Sequence, residues 1–384
     1  MPDYELTEWV PLVTTVVLLV ITAGVAVLWL PGHRGPGWGK YLVQALALVL
    51  VTLLTVLALF LKLNADNRWY SSWADLVAGD APRSVTQTVI GADPGRVSSP
   101  APLDGPAFSD LQRDPRSNPD IGSQIAAASD EGQWVSFDLA GPTTGITRQL
   151  LVWLPPSYLD RPDRAYPVLT AFTGFPGTPE AYIHTFDFDR IVWDQVTRGQ
   201  LREPIVVIPD VYSSGLDSEC VDGSGGRYES WVTVDVVEWV RTNLRVADDP
   251  QAWATLGYSA GGWCATMLSV RHPDRWPRSI NIAGYFSPIY TSGQQWAARD
   301  DSRYALGSIV TRDRPGVDMW FFSGGGDPMP LQSLASFQPH VREPTSLTIR
   351  ITSSGGHRPE VWRPAMVESL TWLGDTSPSF APMA

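Results

Sequence analysis

The sequence predicts an α/β fold, a mostly parallel β-sheet flanked by helices, preceded by two transmembrane helices. The first sixty residues contain two long stretches without a charged side chain, and from Gln133 onward short apolar runs alternate with amphipathic runs. A chain of 384 residues, 44% of them hydrophobic, can bury one large core and still carry an additional segment. We therefore expect one globular domain with an N-terminal appendage.

The uncharged stretches run from Trp9 to Leu30 and from Tyr41 to Leu61. Each reaches the roughly 20 apolar residues that span a bilayer, which favours two transmembrane helices over a buried helical hairpin. The residues before the first stretch are acidic, namely Asp3, Glu5 and Glu8, whereas a cleaved signal peptide begins with basic residues. The prediction is a retained, multi-pass anchor in the lipid bilayer.

The position of the cations predicts the orientation of this anchor. The hinge from Pro31 to Lys40 carries Arg34, while the N-terminal tail has no Lys or Arg, so the hinge is expected on the cytoplasmic side. Lys62 and Arg68, after the second stretch, weaken this signal. The globular domain is then predicted to be extracytoplasmic.

Composition also suggests the domain boundaries. The stretch from about Gly79 to Ser129 is rich in Pro, Gly, Ser, Ala and Asp and lacks sustained hydrophobic periodicity, which is typical of a linker. We predict an anchor over residues 1–66, a linker over 67–130, a globular domain over 131–376 and a tail over 377–384.

The globular part contains eight candidate strands and three clear candidate helices. The strands are Trp134–Leu139, Thr147–Leu154, Val168–Phe172, Ile205–Ile208, Trp253–Gly257, Ser279–Ile282, Met319–Phe322 and Leu347–Ile351, and the helices are Glu229–Asn243, Gly261–Arg271 and Pro359–Trp372. Early strands joined by short turns, followed by strands alternating with helices, predict a mostly parallel sheet led by an antiparallel edge. This is the plan of the α/β-hydrolase fold.

The motif Gly257-Tyr258-Ser259-Ala260-Gly261 stands between a candidate strand and a candidate helix. A serine in this position lies on a tight turn that exposes its hydroxyl, and the flanking glycines avoid clashes that side chains would cause. Ser259 is therefore the predicted nucleophile.

A serine nucleophile needs a base and a carboxylate that orients the base, and in this fold they follow the serine in the order acid, then histidine. His357, in a glycine-rich loop between the last strand and the last helix, is the predicted base, whereas His272 and His340 lack that setting. Asp327 follows the preceding strand and is the predicted acid. Its alternative role is to cap the helix that starts at Pro328. Two other acids, Asp318 and Asp300, do not follow a strand.

An oxyanion hole needs two backbone N–H groups, one of them from the residue after the nucleophile. Ala260 supplies the first. The loop after the strand that ends at Phe172 can supply the second from Gly174 or Phe175, since Pro176 has no N–H.

The two cysteines of the chain, Cys220 and Cys264, suit a disulfide in an oxidising compartment. Cys220 follows a candidate strand and Cys264 lies just over one turn into the helix after Ser259, so a bridge is geometrically reasonable. Two unconnected buried thiols are the alternative.

Several classes of function are disfavoured. The net charge is −12, and no run of Lys or Arg is interleaved with aromatic residues, so nucleic acid is not an expected partner. The sequence contains no metal-ligand motif and no phosphate-binding glycine loop, so no metal or cofactor is expected. The oligomeric state cannot be predicted.

The sequence resembles the esterase D and mycolyltransferase-like family of the α/β-hydrolase superfamily, over about residues 133 to 374. The segments that carry the resemblance are Leu154–Leu159, Tyr166–Leu169, Gly174–Gly177, Gly257–Gly262, His272–Arg275 and Gly355–His357. The resemblance implies acyl-ester or glycolipid substrates, a triad of Ser259, Asp327 and His357, and Phe175 and Ala260 as oxyanion donors. The family often has His-Gly or Asp-Gly before the donor, where this chain has Thr173-Gly174.

The hypothesis is thus a membrane-anchored serine esterase or acyltransferase that acts on envelope lipids or glycolipids through an acyl-enzyme. A second hypothesis is a catalytically silent envelope-binding module, which would be expected to lose a triad residue. A serine peptidase of the same fold would often carry a propeller or a large cap domain, and the sequence shows neither.

Overall fold

A computed structural model describes residues 6–28, 37–78, 84–103, 118, 121–125, 132–161, 163–212, 215–290, 295–298 and 300–383. The chain divides into two compact units. The first, here the anchor unit, comprises residues 1–84, 324–327 and 352–361, and the second, the sheet unit, comprises residues 85–323, 328–351 and 362–384.

Over its first 84 residues, as far as the structure describes them, the anchor unit forms α1 (Trp9–Leu28), α2 (Gly37–Asn67) and α3 (Trp73–Ala78). Helices α1 and α2 pack against each other. Both are long and apolar enough to cross a membrane. Only 6% of the 18-residue apolar stretch that defines each possible span is buried within the structure. A core helix of a soluble protein is mostly buried, whereas a signal sequence near the N-terminus shares the length and composition of α1. The predicted cytoplasmic hinge lies mostly outside the described residues.

A nine-stranded sheet forms the centre of the sheet unit, in the order β1-β11-β10-β9-β8-β4-β5-β3-β2. Its strands are β1 (Val85–Gly91), β2 (Gln133–Ala140), β3 (Thr147–Leu154), β4 (Val168–Phe172), β5 (Ile205–Pro209), β8 (Trp253–Tyr258), β9 (Arg278–Ile282), β10 (Asp318–Ser323) and β11 (Ser346–Thr352). A separate small hairpin consists of β6 (Asp222–Gly223) and β7 (Gly226–Arg227).

Pairing directions follow the predicted plan. Strands β5, β4, β8, β9, β10 and β11 pair in that order and are parallel to one another, while β3 pairs antiparallel with both β2 and β5. The central strands β4, β5, β8 and β9 are buried along their full length. Such strands are near-continuous apolar runs because helices cover both faces of a parallel sheet.

The remaining helices lie between or after these strands. They are α4 (Ala181–His184), α5 (Phe188–Thr197), α6 (Tyr228–Ser230), a π-helical turn (Trp231–Val236) that continues into α7 (Val237–Asn243), α8 (Ala260–Arg271), α9 (Leu306–Arg312), α10 (Pro328–Phe337) and α11 (Pro359–Thr376). The predicted fold class is confirmed, and all eight candidate strands are present.

One strand lies in the segment that composition predicts to be a linker. Strand β1 pairs with β11 at the end of the sheet, and Ala92 N–H donates to Thr345 O at 3.2 Å. All but one of its residues are exposed, so β1 has no apolar periodicity that sequence reasoning could detect. The domain boundaries themselves stay a prediction.

Candidate active site

The predicted nucleophile lies on a sharp turn between β8 and α8, here the nucleophile turn (Gly257–Gly262). Ser259 has φ 55° and ψ −125°, a conformation that L-residues rarely adopt. Its N–H donates to Ile282 O at 2.8 Å, which ties the strained residue to the end of β9. The side chain is partly exposed although its neighbours are buried. This is the geometry of a nucleophile elbow.

The glycines of this turn are required by close backbone contacts. A Cβ at Gly257 would lie 2.0 Å from Gly261 O, and one at Gly261 would lie 2.1 Å from Phe172 O. These distances are far below van der Waals contact, and backbone atoms cannot move aside as a flexible side chain can. The spacing of the motif is therefore explained by the packing of α8 against the ends of β8 and β4.

The loop after β4 approaches the same turn. A Cβ at Gly174 would lie 2.9 Å from Ser259 Cβ. Tyr212 Oη donates to Thr173 O at 2.7 Å, and its ring packs edge-on against Phe175, with centroids 5.4 Å apart. Tyr212, which the sequence did not single out, thus holds the predicted oxyanion loop through both a hydrogen bond and a ring contact.

The predicted disulfide between Cys220 and Cys264 is confirmed, with Cα atoms 5.6 Å apart. It joins the segment before β6 to the second turn of α8. Trp263 Nε1 adds a hydrogen bond to Glu219 O at 2.8 Å. Two links therefore fix the helix that begins at the nucleophile turn.

Glu219 is a buried carboxyl group beside this disulfide, and sequence reasoning missed it. Its Oε1 accepts hydrogen bonds from Tyr285 Oη at 2.7 Å and from the N–H groups of Ile289 and Tyr290 at 2.8 and 2.9 Å. Burial, and then the nearby Asp217, raise the pKa of Glu219 to about 8. Asp217 and Glu219 precede Cys220 in a stretch of mostly small and polar residues, so no local pattern in the sequence distinguishes Glu219.

The predicted acid and base form a hydrogen-bonded pair. His357 Nδ1 lies 2.6 Å from Asp327 Oδ2, and the two side chains are 17% and 1% exposed. They lie on the acid–base loops, defined as residues 324–327 after β10 and 352–358 after β11. Gly326 N–H donates to Gly355 O at 3.0 Å, so the loops are also joined through their backbones.

The two alternative histidines and the alternative acid Asp318 have other partners. His272 Nε2 lies 2.7 Å from Glu229 Oε1 in a cluster with Arg271, and His340 Nδ1 lies 3.3 Å from Thr311 Oγ1. Asp318 is the first residue of β10 and accepts a hydrogen bond from Ser346 Oγ at 2.7 Å. Among the residues that the structure describes, no group of three His, Cys, Asp or Glu side chains is placed to hold a metal ion.

The strand order and the strained serine turn after β8 are those of the α/β-hydrolase fold. Within that class the chain belongs to the Esterase family, described as "Putative esterase", whose family model matches residues 141–373. The resemblance noted in the sequence is thereby confirmed.

Solved structures with the same fold include a ferulic acid esterase, 22% identical with a TM-score of 0.53, where the match covers 63% of this chain and 97% of that one. Another is an S-formylglutathione hydrolase from Agrobacterium tumefaciens, 16% identical with a TM-score of 0.54. The match covers 64% of this chain and 95% of that hydrolase. A fluorophosphonate-binding serine hydrolase F from Staphylococcus aureus is 16% identical with a TM-score of 0.53. The match covers 63% of this chain and 98% of that hydrolase.

A curated relative is an uncharacterized protein of Corynebacterium glutamicum, 24% identical over 262 residues. The match spans 63% of this chain and 62% of that relative.

Proposed function

We propose that the chain is a membrane-anchored serine esterase or acyltransferase, in which Ser259, His357 and Asp327 act as nucleophile, base and orienting acid. One observation carries the proposal: a chain of the Esterase family has its strained, partly exposed Ser259 in a nucleophile turn and a buried Asp327–His357 pair. A strained, partly exposed serine and a buried acid–histidine pair are not needed for the fold alone.

In the proposed reaction Ser259 Oγ attacks the carbonyl carbon of an ester while His357 Nε2 takes the hydroxyl proton. Asp327 accepts the Nδ1–H of His357, which fixes the tautomer and stabilises the imidazolium. The alkoxide leaves with the proton from His357, and an acyl-enzyme forms. Water or an acceptor alcohol then gives its proton to His357 and attacks the acyl carbon. The bond between that carbon and Ser259 Oγ breaks, Oγ takes the proton back from His357, and the acid or the new ester is released.

The proposed oxyanion hole uses the N–H groups of Ala260 and Phe175. Ala260 is the first residue of α8, where unsatisfied N–H groups and the helix dipole favour negative charge. Phe175 is proposed as the second donor because the resemblance to the family matches that position.

The proposed location is the outer face of a cell membrane, with envelope lipids or glycolipids as substrates. Two apolar, largely exposed helices precede the family domain, and the disulfide suits an oxidising compartment. An anchored enzyme meets substrates that are themselves held in a membrane. The domain arrangement proposed is an anchor over 1–66, a connecting segment over 67–130, a catalytic domain over 131–376 and a tail over 377–384.

The test is to incubate the full chain in detergent with a fluorophosphonate and to locate the adduct by peptide mass spectrometry. We expect an adduct on Ser259 that is absent in Ser259→Ala and nearly absent in His357→Ala. His340→Ala is the matched control, because His340 lies outside the proposed triad, and it should label as the unmodified chain does. A folded chain without an adduct would support a silent binding module instead.

A further inference from the structure

A buried ion pair lies next to the predicted base within the anchor unit. Arg358 follows His357 in the chain, and its Nη1 and Nη2 lie 2.8 Å from the two carboxylate oxygens of Asp75 in α3. The side chains of Arg358 and Asp75 are 5% and 1% exposed. Paired oxygens facing a guanidinium give a bidentate contact, which fixes orientation as well as distance.

Both partners have further contacts that hold the pair in one arrangement. The guanidinium of Arg358 donates to Trp69 O and lies over the ring of Tyr70, 4.4 Å from its centroid. Asp75 Oδ2 also accepts the Ser71 N–H at 3.1 Å. The pair therefore joins the residues that follow His357 to the 68–78 segment, defined as the described residues after α2.

The same segment also contacts the backbone of the base itself. His357 N–H donates to Arg68 O at 2.9 Å. A Cβ at Gly356 would lie 2.3 Å from Arg68 O, and one at Gly326 would lie 2.3 Å from Ser71 Cβ. Both acid–base loops thus approach the 68–78 segment too closely for any residue but glycine.

The 68–78 segment is in turn fixed to the end of α2. Asn64 Nδ2 donates to Tyr70 O at 2.9 Å, and Asn64 Oδ1 accepts the Tyr70 N–H at 2.8 Å. Asn64 is fully buried. A continuous set of contacts therefore runs from α2 through Tyr70 and Arg358 to the loop of His357.

We propose that Asp75, acting through Arg358, is a positioning residue for His357, so that the segment after the second apolar helix completes the acid–base half of the site. This inference rests on the proposed function, in which His357 is the base. A base must lie within hydrogen-bonding reach of the proton that it takes, and a displacement of about 1 Å can lower the rate about 100-fold. The 68–78 segment is then part of the catalytic apparatus.

The experiment compares three variants of the full chain in detergent: Asp75→Asn, which removes the charge at nearly constant shape, Asp75→Glu, which keeps the charge, and the control Asp66→Asn. Asp66 pairs with Lys62 in an exposed ion pair near the end of α2, so its loss should change little. The rate constant of fluorophosphonate labelling at saturation (kinact) and the half-saturating concentration (KI) are measured for each. Hydrogen exchange is followed in peptides covering residues 352–358.

We expect Asp75→Asn to lower kinact by about 10- to 100-fold with KI unchanged, because positioning of the base affects the chemical step. Exchange in residues 352–358 should become faster in the same variant. Asp75→Glu should recover part of the loss in kinact, and Asp66→Asn should match the unmodified chain. A partial rescue by the longer carboxylate would distinguish positioning from general destabilisation.

An unmodified chain that labels at Ser259, combined with an unchanged kinact in Asp75→Asn, would overturn the inference and leave the proposed function intact. An unmodified chain that does not label would contradict the proposed function. Hydrogen exchange would then test whether the Asp75–Arg358 ion pair holds the loop of His357. Unchanged protection of residues 352–358 in Asp75→Asn would show that it does not.

Discussion

The nucleophile turn and the acid–base loops are held by different parts of the chain. In the nucleophile turn, a Cβ at Gly257 or Gly261 would meet backbone atoms of the sheet unit, at Gly261 and Phe172 respectively. In the acid–base loops, a Cβ at Gly326 or Gly356 would meet residues 68–71 of the anchor unit. The nucleophile turn and the acid–base loops are thus each supported within a different unit, and we expect a change beside Gly356 to disturb the base and leave the nucleophile turn in place.

The largest expected effect comes from placing a methyl group in the nucleophile turn. Gly261→Ala should destabilise the sheet unit by about 4 kcal/mol or more, because the new Cβ would meet Phe172 O at 2.1 Å. Thermal unfolding followed by circular dichroism would measure this. Gly356→Ala is the matched change in the acid–base loops, and we expect the sheet unit to stay folded while fluorophosphonate labelling slows. If Gly261→Ala and Gly356→Ala destabilised the sheet unit equally, the nucleophile turn and the acid–base loops would not be held by different parts of the chain.

The disulfide should have the next largest effect on stability. Both of its cysteines lie in the sheet unit, so we expect it to stabilise the unit that contains the nucleophile turn. Its two cysteines are 44 residues apart, and closing a loop of that length stabilises the folded chain by about 4 kcal/mol in the chain-entropy model. We expect the double variant Cys220→Ser with Cys264→Ser to show a correspondingly lower midpoint in urea. Reducing agent should lower the midpoint of the unmodified chain and leave the double variant unchanged. Reducing agent without effect on the unmodified chain would contradict the bridge.

Glu219 should produce the smallest effect, a dependence of stability on pH. Burial, followed by Asp217, raises the pKa of its carboxyl group from the usual 4.5 to about 8, so the folded chain keeps a proton that the unfolded chain releases. This contribution to stability is fully present below pH 4.5 and is lost as pH rises through 8, at up to about 1 kcal/mol per pH unit.

The variant Glu219→Gln mimics the protonated carboxyl group and should flatten this dependence. Urea unfolding at several pH values between 5 and 8 would measure the slope in both chains. Glu180→Gln is a suitable control, because the pKa of that carboxyl is not raised. Identical slopes in Glu219→Gln and the unmodified chain would show that Glu219 is ionised throughout.

The sheet could be predicted from the sequence because its parallel strands are buried on both faces. Runs such as Val168–Phe172 and Ile205–Ile208 are apolar throughout, and turns separate them. Strand β1 could not be predicted, since its exposed residues carry no apolar pattern and the surrounding composition resembles a linker. The presence of the two apolar helices was predictable for the opposite reason, because length and the absence of charge suffice there. Their bounds were not, since α2 (Gly37–Asn67) extends beyond the uncharged stretch Tyr41–Leu61 at both ends.

The candidate site was predictable only where a local motif exists. Ser259 and His357 lie in glycine-rich turns at the ends of strands, and their order along the chain narrows the choice of acid to Asp327. Asp75 and Arg358 are 283 residues apart and belong to no motif, so only the folded chain reveals their pairing. Long-range ion pairs of this kind leave no periodic signal in a sequence.

Strand β1 also has a consequence for how the chain can be shortened. It covers the hydrogen-bonding edge of β11, whose residues Ser346–Thr352 include Leu347, Ile349 and Ile351. A fragment that begins at residue 131 would leave that edge open, and an open edge with β-branched residues is a template for pairing between molecules. Such a fragment is expected to aggregate, and one that begins at residue 84 is expected to remain dispersed.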